Sequence, residues 1–159
     1  MNELMEDREH WSTANCSIAR TLDIIGTRAA TLILREAFFG TRRFDDFARL
    51  VGISEPATAA RLKELTLAGV LERVPYQDPG QRTRFEYRLT AKGLALQPVI
   101  TALRQWGDEW AADPAGPAVQ VLHRDCGAPV RACVRCAAGH DVPAGEVVFE
   151  AGPGLIAAS

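Results

Sequence analysis

The chain has 159 residues, 47% of them hydrophobic, and a net charge of −2. That is room for one ordinary domain with a small appendage, and enough apolar material for a real core. No apolar run approaches the roughly 18 residues of a membrane span, and the acidic start MNELMEDREHW lacks the apolar stretch of a secretion signal, so a cytoplasmic protein with no membrane partner is expected.

Three zones follow in chain order. Residues 1–15 form a polar N-terminal arm with net charge −3, residues 16–112 carry +3, and residues 113–159 carry −2. The middle zone is the only basic one, and weakly so. The breaker cluster Asp113–Pro117 separates it from a Gly-, Pro- and Ala-rich extension that reads as short strands and turns.

Within the middle zone, Ile18, Leu22 and Ile25 share a helical face, and Gly26 ends that helix. Thr27 caps a second helix from Arg28 to Phe39, with Leu32, Ile33, Leu34 and Phe38 mostly buried, and Gly40 stops it. A third, shorter helix is expected from Thr41 to Leu50 with Phe44 and Phe47 inward. Gly52 makes a turn. Ser54 then caps a fourth helix with Pro56 in its first turn, where a missing N–H costs little, and Gly69 closes it near Ala68. Val70–Tyr76 and Arg84–Thr90 alternate as strands do, with the turn-rich tip QDPGQRT between them, and make a hairpin. Thr90 caps a long helix to Trp110, in which Pro98 imposes a kink or a restart. Four helices, a hairpin and a helix is the order of a winged helix-turn-helix. The fold class expected is therefore mainly α with a β-hairpin wing (α+β), carrying a terminal dimerisation helix and a small Cys/His-containing β-type tail.

The run CSIARTLDIIGTRAATLILREAFFGTRRFDDF, then GISEPATAARLKELTLAGVLERVPYQDPGQRTRFEYRLTAKGLALQPVITALRQW, resembles the HxlR family of bacterial regulators, a MarR-like winged-helix group. The resemblance spans Cys16 to Trp110. An N-terminal Cys opening the first helix, LILRE, GIS before the recognition helix, RLKEL within it and EYRLTAKG after the wing occur in the expected order. One departure is Ala29, where the family often has Trp. The resemblance implies a transcriptional regulator, repressor or activator, that binds an inverted-repeat operator in double-stranded DNA as a homodimer.

On the fourth helix, Thr58, Leu62 and Leu65 mark the buried side, so Pro56, Ala57, Ala60 and Lys63 are expected to point away from it, toward the major groove. Ser54 and the free N–H groups beside it suit a phosphate. Arg61 lies on the flank. With few long polar side chains, thymine methyls, Arg61, Lys63 and DNA shape are expected to carry specificity. Arg82 and Arg84 in the wing suit the minor groove, and Arg42 and Arg43 suit phosphates. On the last helix Val99, Leu103, Trp106 and Trp110 form one apolar stripe, widened by Leu96 and Ile100. A partner helix is the expected cover, with packing on its own domain as the alternative.

Cys16 has two readings: a sensor of oxidants or electrophiles, as the equivalent cysteine is in some family members, or a small buried hydrophobe. In the tail, His123 and Cys126 have H-x2-C spacing and Cys133 and Cys136 have C-x2-C spacing. Four such N and S ligands fit a structural zinc, with His140 able to replace His123. A Cys133–Cys136 redox pair and thiols without special chemistry are the alternatives. An enzyme finds no support: there is no glycine-rich phosphate loop, no G-x-S-x-G and no H-E-x-x-H, and His10, His123 and His140 all lie outside the helical domain. A winged helix that binds protein, or a redox- or metal-responsive module, is the remaining alternative. A small-molecule effector is expected without its identity being legible.

Overall fold

The computed structural model describes Arg8 and residues 11–155. The chain divides into two compact units, with boundaries at Gly26/Thr27 and Ala132/Cys133.

The larger unit, Thr27–Ala132, holds the winged helix. Its elements are α2 (Arg28–Phe38), α3 (Phe44–Val51), α4 (Glu55–Leu67), β1 (Leu71–Tyr76), β2 (Arg84–Leu89), α5 (Ala91–Leu94) and α6 (Gln97–Trp110). Helix α2 packs against α3, α4, β2 and α6, and so occupies the centre. The core is made by Ala30, Ile33 and Leu34 of α2, Phe47 of α3, Leu62 and Leu65 of α4, and Val70 and Leu71 entering β1. Phe47 meets Tyr87 of β2 edge to face at 6.2 Å, a geometry that the ring quadrupoles favour. Leu32, Phe38 and Phe44, expected inside, are only half-buried.

Local chemistry places the helix ends. The Thr27 hydroxyl accepts from the Ala30 N–H at 3.1 Å and the Ser54 hydroxyl from the Ala57 N–H at 3.4 Å. Each satisfies one of the donors a helix start leaves open. Gly52, at φ 72°, closes α3 in the left-handed region and turns the chain into α4. The hairpin is antiparallel and pairs Leu71 with Leu89 through Tyr76 with Arg84.

Two expected boundaries are corrected. The third helix begins at Phe44, not Thr41, because the residues before it are tied to the wing: Arg43 is extended and the Tyr87 N–H donates to the Arg42 carbonyl at 2.8 Å. The last helix is two pieces. Pro98 sits in the first turn of α6, so it marks a restart after α5. Helix α5 lies so close to the start of β1 that a Cβ on Gly93 would stand 2.2 Å from the Val70 carbonyl oxygen. Past α6, an isolated bridge pairs Leu122 with Pro129. This turn is tied to α6 by the Ala132 N–H donating to Gln105 Oε1 at 3.1 Å.

The smaller unit joins the described residues up to Gly26 with those from Cys133 onward. It contains a 3-10 turn (Thr13–Asn15), α1 (Ser17–Ile25) and a second bridge pairing Arg135 with Asp141. The Asn15 amide donates to the Gly154 carbonyl at 2.8 Å and links its two chain segments. No helix of the described residues is long and apolar enough to cross a membrane.

Candidate nucleic-acid interface

Helix α4 has one committed face and one open one. Thr58, Leu62 and Leu65 are buried. Thr58 and Thr66 return their hydroxyl protons to the Ser54 and Leu62 carbonyls at 3.0 and 2.7 Å, so neither competes for an outside ligand. Glu55, Pro56, Ala59, Ala60, Lys63, Glu64 and Leu67 are exposed. Pro56, Ala60 and Lys63 therefore face outward, while Ala57 is half-buried. Ala59 faces outward too and is missing from the sequence expectation, because Ala57 and Ala59 lie about 100° to either side of Thr58 and periodicity alone does not tell which of the two neighbouring elements cover. Arg61 is half-buried and paired, its Nη1 standing 2.6 Å from Glu64 Oε2. The pair holds its guanidinium to the flank of the helix.

The wing supplies positive charge. Gln81, Arg82 and Arg84 are exposed, and the Gln77 side chain donates to the Gln81 carbonyl at 2.8 Å across the tip. Among the described residues, Lys63, Arg82 and Arg84 form no ion pair. Arg42 and Arg43 are engaged. Arg42 is 3.9 Å from Glu86. Arg43 is 3.4 Å from Asp78, with its guanidinium 4.7 Å from the centre of the Tyr76 ring. The Arg43–Asp78 pair is exposed on both sides and worth about 0–1 kcal/mol, so a phosphate can displace that carboxylate at little cost. Glu86 is largely buried and accepts from Arg88 at 2.6 Å, which leaves Arg42 only loosely tied to it.

Away from α4, the apolar stripe of α6 is open. Leu103, Trp106 and Trp110 are 53%, 64% and 69% exposed, Val99 is exposed, and Leu96 and Ile100 are half-buried. On α1, Ile18 and Leu22 are exposed as well. Between α2, α6 and the segment at residues 118–121 lies a cavity of about 640 Å3, lined by Leu32, Phe39, Ile100 and Leu103 among others. The charges at its edge are compensated. Arg35 donates twice to the buried Glu36, at 3.0 and 2.6 Å, and Arg104 pairs with Asp108.

Cys16 is half-buried at the N-cap of α1, where its thiol makes no capping bond, and the Arg20 guanidinium donates to the Ala14 carbonyl at 3.0 Å. In the larger unit His123 Nδ1 lies 3.1 Å from Cys126 Sγ, and His123 Nε2 lies 3.9 Å from Asp125. Cys133 and Cys136 are exposed thiols of the smaller unit. There the Cys136 N–H donates to the His140 carbonyl at 3.0 Å. Among the described residues of neither unit do three His, Cys, Asp or Glu side chains gather in a group able to hold a metal. The geometry brings together the His123–Cys126 pair and goes no further.

Comparison with known proteins places the chain among relatives. The model of the HxlR-like helix-turn-helix family matches residues 24–114. An uncharacterized HTH-type transcriptional regulator of Mycobacterium tuberculosis (strain ATCC 25618 / H37Rv), Rv3095, is 43% identical over 142 residues, which cover 87% of each chain. The crystal structure of PA1607, described as a candidate transcription factor, matches with a TM-score of 0.76 at 39% identity, covering 86% of this chain and 95% of that one. The reduced form of the redox regulator HypR matches with a TM-score of 0.53 at 28% identity, covering 58% of this chain and 90% of that one.

Proposed function

The chain belongs to the HxlR-like helix-turn-helix family of DNA-binding transcription regulators, and from that premise we propose that it acts in the cytoplasm as a homodimer on an inverted-repeat operator. Helix α4 enters the major groove by its N-terminal turns, with Ser54 and the N–H groups beside it at a phosphate. The wing lies along the neighbouring minor groove with Arg82 and Arg84. Lys63 reaches a base or a phosphate. The observation that carries this reading is the combination of an open outer face on α4 with two wing arginines, Arg82 and Arg84, that have no carboxylate partner among the described residues. The partner protomer covers the stripe of Val99, Leu103, Trp106 and Trp110, since two exposed tryptophans on one helix are a large apolar load for a surface. An effector of low charge occupies the cavity between α2 and α6. Phe39 lines that cavity and also the cleft of Arg42 and Arg43, and so connects the two.

The deciding experiment is fluorescence anisotropy of the purified protein on duplex DNA from upstream of its own gene, against a scrambled duplex, across a salt series. Tighter binding to the upstream duplex that weakens steeply with salt is expected. No binding to either duplex at low salt, from a folded dimer, removes the reading and leaves a winged helix that binds protein.

The cysteines extend the proposal. Cys16 sits at a helix start and is assigned as a thiol sensor, a reading supported by similarity to a redox regulator. For the tail we keep a structural zinc, supported by the spacing of His123, Cys126, Cys133 and Cys136 and by the close His123–Cys126 pair. Four protein ligands leave no open position, so such a metal would serve folding and no reaction. Elemental analysis with thiol titration checks both: about one zinc per chain, with Cys16 alone reacting quickly, is expected. Metal-free protein with all four thiols reacting alike would discard both assignments.

A further inference from the structure

The outer face of α4 is short of hydrogen-bonding groups. At about 100° per residue, Pro56, Ala60, Lys63 and Leu67 fall within roughly one quadrant opposite the buried Thr58, Leu62 and Leu65, with Ala59 at its edge. Arg61, the long donor of this helix, lies about 60° round from the buried Thr58 and so starts from the flank, where it pairs with Glu64 at 2.6 Å. Over the first two turns of that quadrant, the part that comes nearest the bases, the surface is a proline ring and two alanine methyls, with the exposed Glu55 carboxylate outside it beyond Ala59.

Chemistry narrows what such a surface can read. Of the groups that the four base pairs present in the major groove, all but one are hydrogen-bond donors or acceptors, and the exception is the C5-methyl of thymine. An apolar residue set against a donor or acceptor strips it of water and returns no partner, which is costly. Set against a methyl, it removes apolar area from water on both sides. We propose that Pro56, Ala59 and Ala60 form a thymine-methyl reader, so that each operator half-site is specified by thymines at the positions under the first two turns of α4. Lys63 follows on the same stripe and sets the limit of that run. This inference rests on α4 being the element in the major groove.

The test keeps the two apart. Duplexes that bind full-length protein are selected in vitro from a random library and their affinities measured by anisotropy. Each thymine of the half-site is then replaced singly by uracil, which deletes the methyl and nothing else. One to three positions per half-site are expected to lose about fourfold in affinity each, the worth of one buried methyl. Ala60→Gly and Ala59→Gly are expected to bring the thymine-to-uracil ratio to one at a single position each. The ratio is read within each variant, so a change in helix stability cancels. Ala60→Ser, which keeps the Cβ, is expected to retain the discrimination. Specific, salt-sensitive binding to the selected duplex with every uracil replacement within twofold overturns the methyl reader and leaves the operator reading standing. Failure of the library to yield any preferred duplex overturns the operator reading, and this one with it.

Discussion

Single side chains here act mostly by what they forbid. Gly93 has no Cβ because the Val70 carbonyl oxygen occupies the place, 2.2 Å from where one would stand, and Leu89 Cδ2 closes the other side at 2.9 Å. Backbone cannot move aside as a flexible side chain can. Thr90 locks the same spot, its hydroxyl donating to the Gly69 carbonyl at 2.6 Å and accepting from the Gly93 N–H at 3.1 Å. Gly93→Ala is therefore expected to cost about 2–3 kcal/mol by overpacking, read as a lower midpoint in denaturant with an unchanged slope. An unchanged midpoint would mean that α5 is free to shift away from β1. Other residue-level features divide by whether their partners lie near in sequence. The i,i+3 spacing of Arg61 and Glu64 is visible in the chain itself, so a pair there is legible. The partners of Arg43, Asp78 and Tyr76, lie in the wing and its loop, and only the folded hairpin brings them round.

At the scale of elements the punctuation was legible and the distant bonds were not. Thr27, Ser54, Gly52 and Gly69 act locally, through a cap or a left-handed turn, and the helices they bound fall where expected. The start of α3 depends on a backbone bond from β2, which no local pattern contains. The stripe on α6 was legible from its spacing, and its exposure shows that its own unit leaves it uncovered. In a two-fold interface each substitution is felt twice. A buried tryptophan at the centre of such a contact is the kind of residue that costs 2 kcal/mol or more to truncate, by order of magnitude. Trp106→Glu is expected to convert a dimer into a folded monomer at micromolar concentration, seen by sedimentation, with the far-ultraviolet dichroism retained. A Trp106→Glu protein that stays dimeric would place the interface elsewhere.

At the scale of the molecule, net charge says little, since −2 overall conceals a basic middle zone. What DNA meets is set by which cations are free. Per protomer those proposed for the interface are Lys63, Arg82 and Arg84, while Arg43 pairs with Asp78 and Arg42 stands 3.9 Å from Glu86, whose carboxylate Arg88 bonds. Counterion release makes this countable, because the salt slope of log K is about −0.9 for each phosphate neutralised. If only the free cations act, a dimer makes about six contacts and the slope is about −5. If the phosphate backbone also draws Arg42 and Arg43 from their carboxylates, there are about ten contacts and the slope approaches −9. The loose approach of Arg42 to Glu86 and the weakness of the exposed Arg43–Asp78 pair favour exchange. The stacking of Arg43 on Tyr76 favours retention, since moving the guanidinium off the ring gives up about 0.5–1 kcal/mol. A phosphate that approaches from the open side of the guanidinium can take the place of Asp78 without disturbing the ring, so the steeper slope is expected. In the Arg42→Ala/Arg43→Ala double variant it should fall back to about −5. A wild-type slope already near −5, unchanged in that variant, would mean that the two arginines brace the base of the wing and that DNA is held by α4 and the wing tip alone.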